Sequence, residues 1–447
     1  MKKTVFFAVA ALIAAPALAE DHSAHLKGPF ASPPEVTKAC LECHPEAAGQ
    51  IMSTSHWTWA REQEFPGKGK IAYGKKNIIN NFCIALAGNY PRCTSCHIGY
   101  GWKDSSFDFT DKSRIDCLVC HDTTGAYKKN PMAAGMPDEK VDLLAAAKSV
   151  GKPSIANCGA CHFYGGGADS VKHGDLDSTM GAPGKELDAH MAKEGAGLSC
   201  TSCHGGKNHD IKGVALVDSP TGGKHFECTV CHEKVSHKEA KISDHLDKVA
   251  CQTCHIPEYA RGQATKTYWD WSDAGKDLPE AKDANGKPVF DKKKGTFTWG
   301  KDQKPVYMWY NGTAAAYLPG DKLASGGVTV LDMPNGSKDD PKSKIYPFKP
   351  FGGKQPYDTK NNTLVTPKLF GPDGYWKHYD WNKAIELGMK DAGLPYSGEY
   401  GFTETKMYWK LNHQVAPKAK ALVCNDCHGE NGRMDFKALG YSSDPRK

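Results

Sequence analysis

Eight copies of the pattern C-x-x-C-H constrain this chain more than any other feature of its 447 residues. The two cysteines can bind the two vinyl groups of one haem and the next residue can bind the iron, so the pattern is typical of c-type haem. Zinc pairs need no histidine directly after the second cysteine, and a redox dithiol does not recur eight times. The sequence therefore predicts eight covalently attached haems. The attachment cysteines are Cys40, Cys43, Cys93, Cys96, Cys117, Cys120, Cys158, Cys161, Cys200, Cys203, Cys228, Cys231, Cys251, Cys254, Cys424 and Cys427, and the predicted iron ligands in the motifs are His44, His97, His121, His162, His204, His232, His255 and His428.

A low-spin electron-transfer haem needs a second strong ligand besides the motif histidine. His22 and His25 lie at the start of the predicted mature chain, where we expect disorder. His225 is three residues before Cys228 and His378 is far from every motif, so these two rank lowest. Nine candidates could serve all eight haems, so counting does not show that one haem lacks a second histidine. The predicted second ligands are His56, His173, His190, His209, His237, His245 and His413.

The first residues predict export. Lys2 and Lys3 precede an apolar run at 5–15 and an Ala-Leu-Ala sequence at 17–19, which is typical of a signal peptide cleaved after Ala19. The apolar run is too short to span a bilayer comfortably, so we expect a periplasmic protein without a membrane span. The formal charge of +6 does not indicate nucleic-acid binding. Haem propionates would bring the loaded chain to about −4.

The spacing of the motifs predicts the organisation of the chain. Seven motifs crowd into residues 20–255, too densely for an ordinary apolar core, so haem faces should form the core. We expect a multihaem cytochrome c fold, mainly α with much irregular loop structure. Residues 256–423 carry no motif but hold seven of the ten Trp, and they predict an aromatic-rich insertion that ends in helices at 380–390 and 403–412. Residues 424–447 carry the eighth haem.

Two features depart from the repeated pattern. Cys83 is the only cysteine outside a motif, and it is either an inert buried thiol or part of a substrate pocket. The sequence GGGADSVKH at 165–173 brings Asp169, Lys172 and His173 together after a glycine-rich turn. Most lysines are solvated, and a lysine binds iron only as the neutral amine. Deprotonation at pH 7 costs about 4–5 kcal/mol, which burial and the iron must offset.

The sequence resembles the octahaem tetrathionate reductase family in four features. These are the order of the eight motifs, the lone Cys83 before the second motif, Asp169-x-x-Lys172-His173 after the fourth motif, and the long insertion before the last motif. The resemblance covers essentially the whole mature chain. It implies seven bis-histidine haems and a catalytic second haem on Cys93 and Cys96, with Lys172 as an iron ligand. Cys83 and Asp169 would line the pocket, and His173 would be free to ligate a neighbouring haem. Lys172 either replaces His97 or sits opposite it.

The resulting hypothesis is a periplasmic reductase that receives electrons from a donor cytochrome or quinol dehydrogenase and cleaves tetrathionate to thiosulfate. Thiol–disulfide exchange is a precedent for the participation of Cys83. Nitrite and hydroxylamine are alternative substrates, as in the pentahaem nitrite reductases, whose C-x-x-C-K motif is absent here. Hydroxylamine oxidation is a third option. The alternative from another functional class is an electron conduit in which every haem has two histidine ligands. Neither bound calcium nor an oligomeric state is indicated.

Overall fold

The computed structural model describes residues 22–446 apart from 218 and 236, so the predicted signal peptide lies outside the described residues. Its helices are short and separated by loops. The α-helices are α1 (Pro33–Cys43), α2 (Pro45–Met52), α3 (Ser55–Thr58), α4 (Tyr90–Cys93), α5 (Leu118–His121), α6 (Leu143–Lys148), α7 (Ile155–His162), α8 (Cys200–His204), α9 (Ala240–Ser243), α10 (Cys251–His255), α11 (Tyr375–His378), α12 (Trp381–Ala392) and α13 (Cys424–Cys427). Short 3-10 helices cover His22–Ala24, Thr94–Cys96, Lys112–Arg114, Ser178–Gly181, Lys207–His209, Cys228–Val230, Asp244–Asp247, Trp271–Asp273 and Lys418–Lys420.

The haem-attachment motifs lie on helical turns or at their ends. In a helix, residues three and four apart share one side, so both cysteines and the histidine of a motif can face one haem. Helix α7 shows why such a turn forms locally: the Ser154 side chain accepts from the backbone N–H of Asn157, and the Asn157 side chain caps Ser154 in return. This reciprocal cap offsets the poor helix propensity of a segment with a glycine and two cysteines.

The haem-free segment is built around a sheet. The strands of the chain are β1 (Arg61–Phe65), β2 (Gly69–Tyr73), β3 (Thr265–Asp270), β4 (Phe290–Asp291), β5 (Gly295–Gly300), β6 (Val306–Tyr310), β7 (Ala314–Ala316), β8 (Thr329–Val330), β9 (Asp332–Pro334), β10 (Lys344–Asp358), β11 (Thr363–Leu364) and β12 (Tyr400–Lys410). Eight of them form one sheet in the order β4-β5-β3-β10-β12-β8, with β11 and β6 also paired to β10. The 15-residue strand β10 is therefore the centre of the sheet.

The predicted helix at 403–412 is wrong, because these residues form most of strand β12. Thr405, Met407 and Trp409 are buried and alternate with less buried neighbours, which is the period of a strand. Their β-branched and aromatic side chains suit a pleated surface. The predicted helix at 380–390 is confirmed by α12, whose first turn is capped by the Asp380 side chain.

The expectation of a mainly α fold is not confirmed, since 26% of the chain is helical and 18% is strand. The main apolar cluster joins the two parts of the chain: Phe65 and Ile84 pack with Trp271, Phe351 and Met407. The predicted boundary at 255/256 thus separates haem-bearing from haem-free sequence but does not separate two hydrophobic cores. Among the described residues, no helix is long and apolar enough to cross a membrane.

Candidate functional site

A continuous cavity of about 3120 Å³ runs through the motif-bearing part of the chain. Its wall includes every motif cysteine except Cys93 and every motif histidine except His97. Because so many attachment groups open into one space, the residues present fit a connected array of covalently held haems. Among the described residues, no group of three or more His, Cys, Asp or Glu side chains forms a separate metal site.

Six motif histidines face a second histidine across this cavity, with ring centroids 6.0–6.2 Å apart. With metal–imidazole bonds of roughly 2.0–2.1 Å, two imidazoles on opposite sides of one metal have centroids roughly 6.2 Å apart. The spacing therefore fits one iron between the two rings of each pair. The pairs are His44 with His22, His162 with His56, His121 with His209, His232 with His190, His204 with His413, and His428 with His245.

The seventh motif has a partner of the same kind. Burial lowers the pKa of His255, and the neighbouring His237 lowers it further. Both side chains line the cavity. His237 is therefore placed to serve the haem of His255, as the other second histidines serve theirs.

His22 is a candidate iron ligand that sequence reasoning missed. We expected a disordered N-terminus, but His22 lies in an ordered 3-10 helix, and its ring is 6.2 Å from that of His44. His25 also lines the cavity. No local signal marks His22 as a ligand, because its partner is 22 residues away and no motif surrounds it.

Hydrogen bonds at the outer ring nitrogens orient several of these histidines. His121, His204 and His245 donate from Nδ1 to the backbone carbonyls of Gly151, Lys212 and Lys241, at 2.6–2.8 Å. Two others meet carboxylates instead. His413 Nδ1 is 3.3 Å from Asp175 Oδ2, and His428 Nδ1 is 2.6 Å from Asp444 Oδ1. Such partners fix the tautomer that leaves Nε2 for a metal, and a carboxylate also raises the basicity of the ring.

Thiols of different motifs touch one another, which shows which haem sites are neighbours. Cysteine sulfur atoms of the first and third, second and fourth, fourth and fifth, and sixth and seventh motifs are close neighbours. The pairs are Cys40 with Cys117, Cys96 with Cys161, Cys158 with Cys200, and Cys228 with Cys251. The second haem site therefore adjoins the fourth, which in turn adjoins the fifth.

The second motif departs from the others at its histidine. His97 is fully buried, and its Nε2 donates to the carbonyl of Trp57 at 2.6 Å. Its ring packs against Trp57, Trp59 and Trp102, with centroids 4.8–5.4 Å away. Burial lowers the pKa of His97 to about 3, so the ring is neutral. Its Nε2 is committed to a carbonyl outside the cavity wall, so ligation of iron by His97 stays a prediction that requires this ring to move.

Lys172 and Cys83 lie on two sides of the glycine-rich turn. A Cβ on Gly165 would be 3.2 Å from Lys172 Cδ, and a Cβ on Gly167, which has φ +89°, would be 3.2 Å from Cys83 Sγ. The Cys83 thiol donates to the Gly166 carbonyl at 3.1 Å. Glycines are needed here because side chains would fill the space beside both groups. The structure thus brings Lys172, which lines the cavity, and Cys83 to one turn.

Cys83 also lies beside the second motif. Burial, with a smaller contribution from the nearby Cys83, raises the pKa of Cys93 to about 12. Burial likewise raises the pKa of Cys83 itself, against the opposing charges of four cations. The thiol is therefore protonated near neutral pH. The cations are Lys294, Lys266, Arg92 and Lys75.

Asp169 is held by neighbours on its own side of the turn. Its Oδ1 accepts from the Ser178 backbone N–H at 3.0 Å, and its Oδ2 accepts from Gln263 Nε2 at 2.9 Å. Asp169 is not part of the cavity wall. Its predicted place in the pocket lining is therefore not supported by this geometry, and its observed contacts anchor the base of the turn.

His173 does not face a motif histidine, although we expected it to ligate a neighbouring haem. Its ring lies 5.2 Å from that of Trp409, edge to face. Six motif histidines pair with other histidines, and His173, which also lines the cavity, stands apart from these pairs. His225 lines the cavity without pairing in this way, and His378 donates to the Asp373 carbonyl at the surface.

The motifs on helical turns, the continuous cavity and the paired histidines define a multihaem c-type cytochrome, a redox protein with covalently bound haem c. Residues 266–431 match the family described as bacterial cytochrome c.

The solved structure of octaheme cytochrome c from Shewanella oneidensis is 52% identical, has a TM-score of 0.91, and is matched over 96% of this chain and 98% of that one. This chain therefore belongs to the octahaem c-type cytochromes. An uncharacterized protein of Archaeoglobus fulgidus is 26% identical over 234 residues, which cover 41% of this chain and 77% of that protein.

Proposed function

We propose that this chain is a periplasmic reductase with eight haems, in which seven bis-histidine haems feed a second haem that has Lys172 as its axial ligand. The observation that carries the proposal is the contrast between the motifs. Six motif histidines face a second histidine and His255 has His237 as a neighbour, whereas His97 donates to Trp57 and packs among aromatic rings. Lys172 lines the cavity next to Cys83.

This contrast favours replacement of His97 by Lys172 over ligation from opposite sides. His97 would have to give up its hydrogen bond to Trp57 and leave its aromatic surroundings to reach the cavity. A second haem with one amine ligand keeps its other axial position for a substrate, whereas bis-histidine haems have none. When bound, the haem supplies electrons and an iron atom that a substrate can bind.

The charge near Cys83 supports an anionic substrate. Four cations act on the Cys83 site, so a small oxyanion entering it would be attracted. Tetrathionate is the first choice, because its sulfur–sulfur bond takes up two electrons to give two thiosulfates. Cys83, as a protonated thiol, can donate a hydrogen bond or a proton to a leaving sulfur. Nitrite and hydroxylamine are further candidate substrates.

Lys172 must be neutral to bind iron, so the iron has to compete with a proton for its amine. Its Nζ lies 4.8 Å from the centroid of the Trp409 ring, and Lys349 and His173 are near neighbours of the same turn. The proposal also includes a periplasmic location, a donor cytochrome or quinol dehydrogenase that supplies the electrons, and a small inorganic substrate.

The test is Lys172→Ala in the fully haem-loaded protein, assayed by oxidation of reduced viologen with tetrathionate and with nitrite. We expect eight attached haems by mass spectrometry, a changed electron paramagnetic resonance signal of one haem, and loss of turnover. Lys152→Ala, at an exposed part of the cavity wall, is the matched control. Intact activity in Lys172→Ala, or eight bis-histidine signals in the wild type, would favour the electron conduit instead.

A further inference from the structure

The backbone around Lys172 is held from the sheet by two side chains. Lys349 Nζ donates to the carbonyls of Val171 at 2.9 Å and Lys172 at 3.2 Å. Thr265 Oγ1 lies 2.8 Å from the Ser170 carbonyl and 3.0 Å from the His173 carbonyl. Together the two side chains reach four consecutive carbonyls of the segment that carries the proposed iron ligand.

The two side chains also bond to each other, which makes them one unit. Lys349 Nζ donates to Thr265 Oγ1 at 2.7 Å, so its amino group has three oxygen partners. Lys349 is 0% exposed and Thr265 is 1% exposed. A lysine in the central strand of a sheet is costly to bury unless every donor is satisfied. Here the partners that satisfy it belong to the Lys172 segment.

The segment needs this support because its backbone is strained. Ser170 has φ +59°, in the left-handed region that side chains rarely adopt. The Lys266 backbone N–H adds a further hydrogen bond to the Ser170 carbonyl at 3.0 Å. Strained residues persist only where the surroundings over-determine them. Strands β3 and β10 provide those surroundings.

The sheet also contacts the Lys172 side chain. Lys349 on β10 is directly opposite Trp409 on β12, and the Trp409 ring is 4.8 Å from Lys172 Nζ. Lys349 on one strand thus holds the backbone of Lys172, and Trp409 on the adjacent strand contacts its amine. The register between β10 and β12 fixes both contacts together.

We propose that Lys349 and Thr265 are positioning residues that hold the 170–173 segment so that the Lys172 amine reaches the iron of the second haem. This inference rests on the proposed function, because it assumes that Lys172 is the ligand. Neither residue would touch the substrate. Their loss should let Lys172 detach while all eight haems remain covalently bound.

The experiment compares Lys349→Met and Thr265→Val with matched variants of the holoprotein. Thr265→Ser keeps the hydroxyl, and Lys410→Met removes another partly buried lysine of the same sheet, which lies near the Tyr310 ring. The readouts are the resonance signal of the second haem, its reduction potential, and kcat and KM for nitrite with reduced viologen. Lys172→Ala supplies the reference signal of a haem without lysine.

We expect Lys349→Met and Thr265→Val to convert the second-haem signal partly to that of Lys172→Ala and to lower kcat by about 10-fold or more, since changes to groups that orient a metal ligand commonly cost that much. Thr265→Ser and Lys410→Met should keep the wild-type signal. A wild-type signal and kcat in Thr265→Val would overturn the inference even if Lys349→Met does not fold. If Lys172→Ala itself leaves the signal unchanged, the proposed function fails first. A change in Lys172→Ala alone leaves that function intact and rejects the positioning role.

Discussion

Asp175→Asn should raise the reduction potential of the fifth haem. Asp175 is 1% exposed, and its Oδ2 accepts from the backbone N–H groups of Asn412 at 2.6 Å and His413 at 2.9 Å and from His413 Nδ1 at 3.3 Å. His413 is paired with His204 across the fifth site. A buried anion behind an axial histidine stabilises the oxidised haem, which carries one more positive charge. Asparagine keeps an oxygen acceptor at this position, so the loss of the negative charge is the main change.

The magnitude follows from hydrogen-bond energies. A hydrogen bond to a charged group contributes about 1.5–3 kcal/mol and a neutral one about 0.5–1.5 kcal/mol, so the charge accounts for about 1–1.5 kcal/mol. For a one-electron couple 1.4 kcal/mol corresponds to roughly 59 mV, which gives a rise of about 40–60 mV. The long Nδ1 distance of 3.3 Å favours the lower value.

The assay is a potentiometric titration in which each low-spin haem is followed by electron paramagnetic resonance. Asp177→Asn is the control, because Asp177 is also buried but accepts from Thr179 and Gln263 and touches no axial histidine. One haem should shift upward in Asp175→Asn, and none in Asp177→Asn. A downward shift, or equal shifts in both variants, would refute the reasoning.

The remaining predictions concern the first haem and the lone thiol. His22→Ala should make one haem high-spin in the resonance spectrum of the oxidised protein, whereas a full set of low-spin signals would show that His22 is not a ligand. Because burial raises the pKa of Cys83, iodoacetamide should label it slowly at pH 7 and faster as the pH rises past 9, as followed by mass spectrometry; labelling that is already maximal at pH 7 would contradict a protonated thiol. Cys83→Ser should lower tetrathionate turnover more than nitrite turnover, and equal effects would make Cys83 structural.

The sequence predicts the attachment sites well because their chemistry is local. Two cysteines and a histidine within five residues are enough to mark a haem site. The second ligands are different. A histidine next to a motif tends to lie on the same side of its haem, and the opposite side is reached by a distant part of the chain. His190 is close to Cys200 in sequence but faces His232, and His413, close to Cys424, faces His204. No single-sequence pattern carries that pairing.

The sheet could have been predicted in part. Residues 403–410 alternate in burial and are rich in aromatic and β-branched side chains, which favours a strand over the helix we expected. The role of Lys349 was beyond sequence reasoning, because its acceptors are carbonyls 177–178 residues away. A lysine within a strand pattern predicts an exposed side chain, and only the structure shows that a loop buries it.

The haem-free insertion and the second haem site are therefore parts of one arrangement. A motif supplies its own histidine at no structural cost, but a lysine ligand from elsewhere must be brought to the iron and held there. Gly165 and Gly167 leave space for Lys172 and Cys83. Lys349, in a strand of the insertion, holds the backbone next to Lys172 through the Val171 carbonyl. The seventh motif also contacts the sheet, because Thr253 Oγ1 donates to the Ile345 carbonyl of β10 at 2.7 Å. The haem-free segment therefore supports the haem-bearing part at more than one place, and at the proposed lysine site it holds a ligand that no motif supplies.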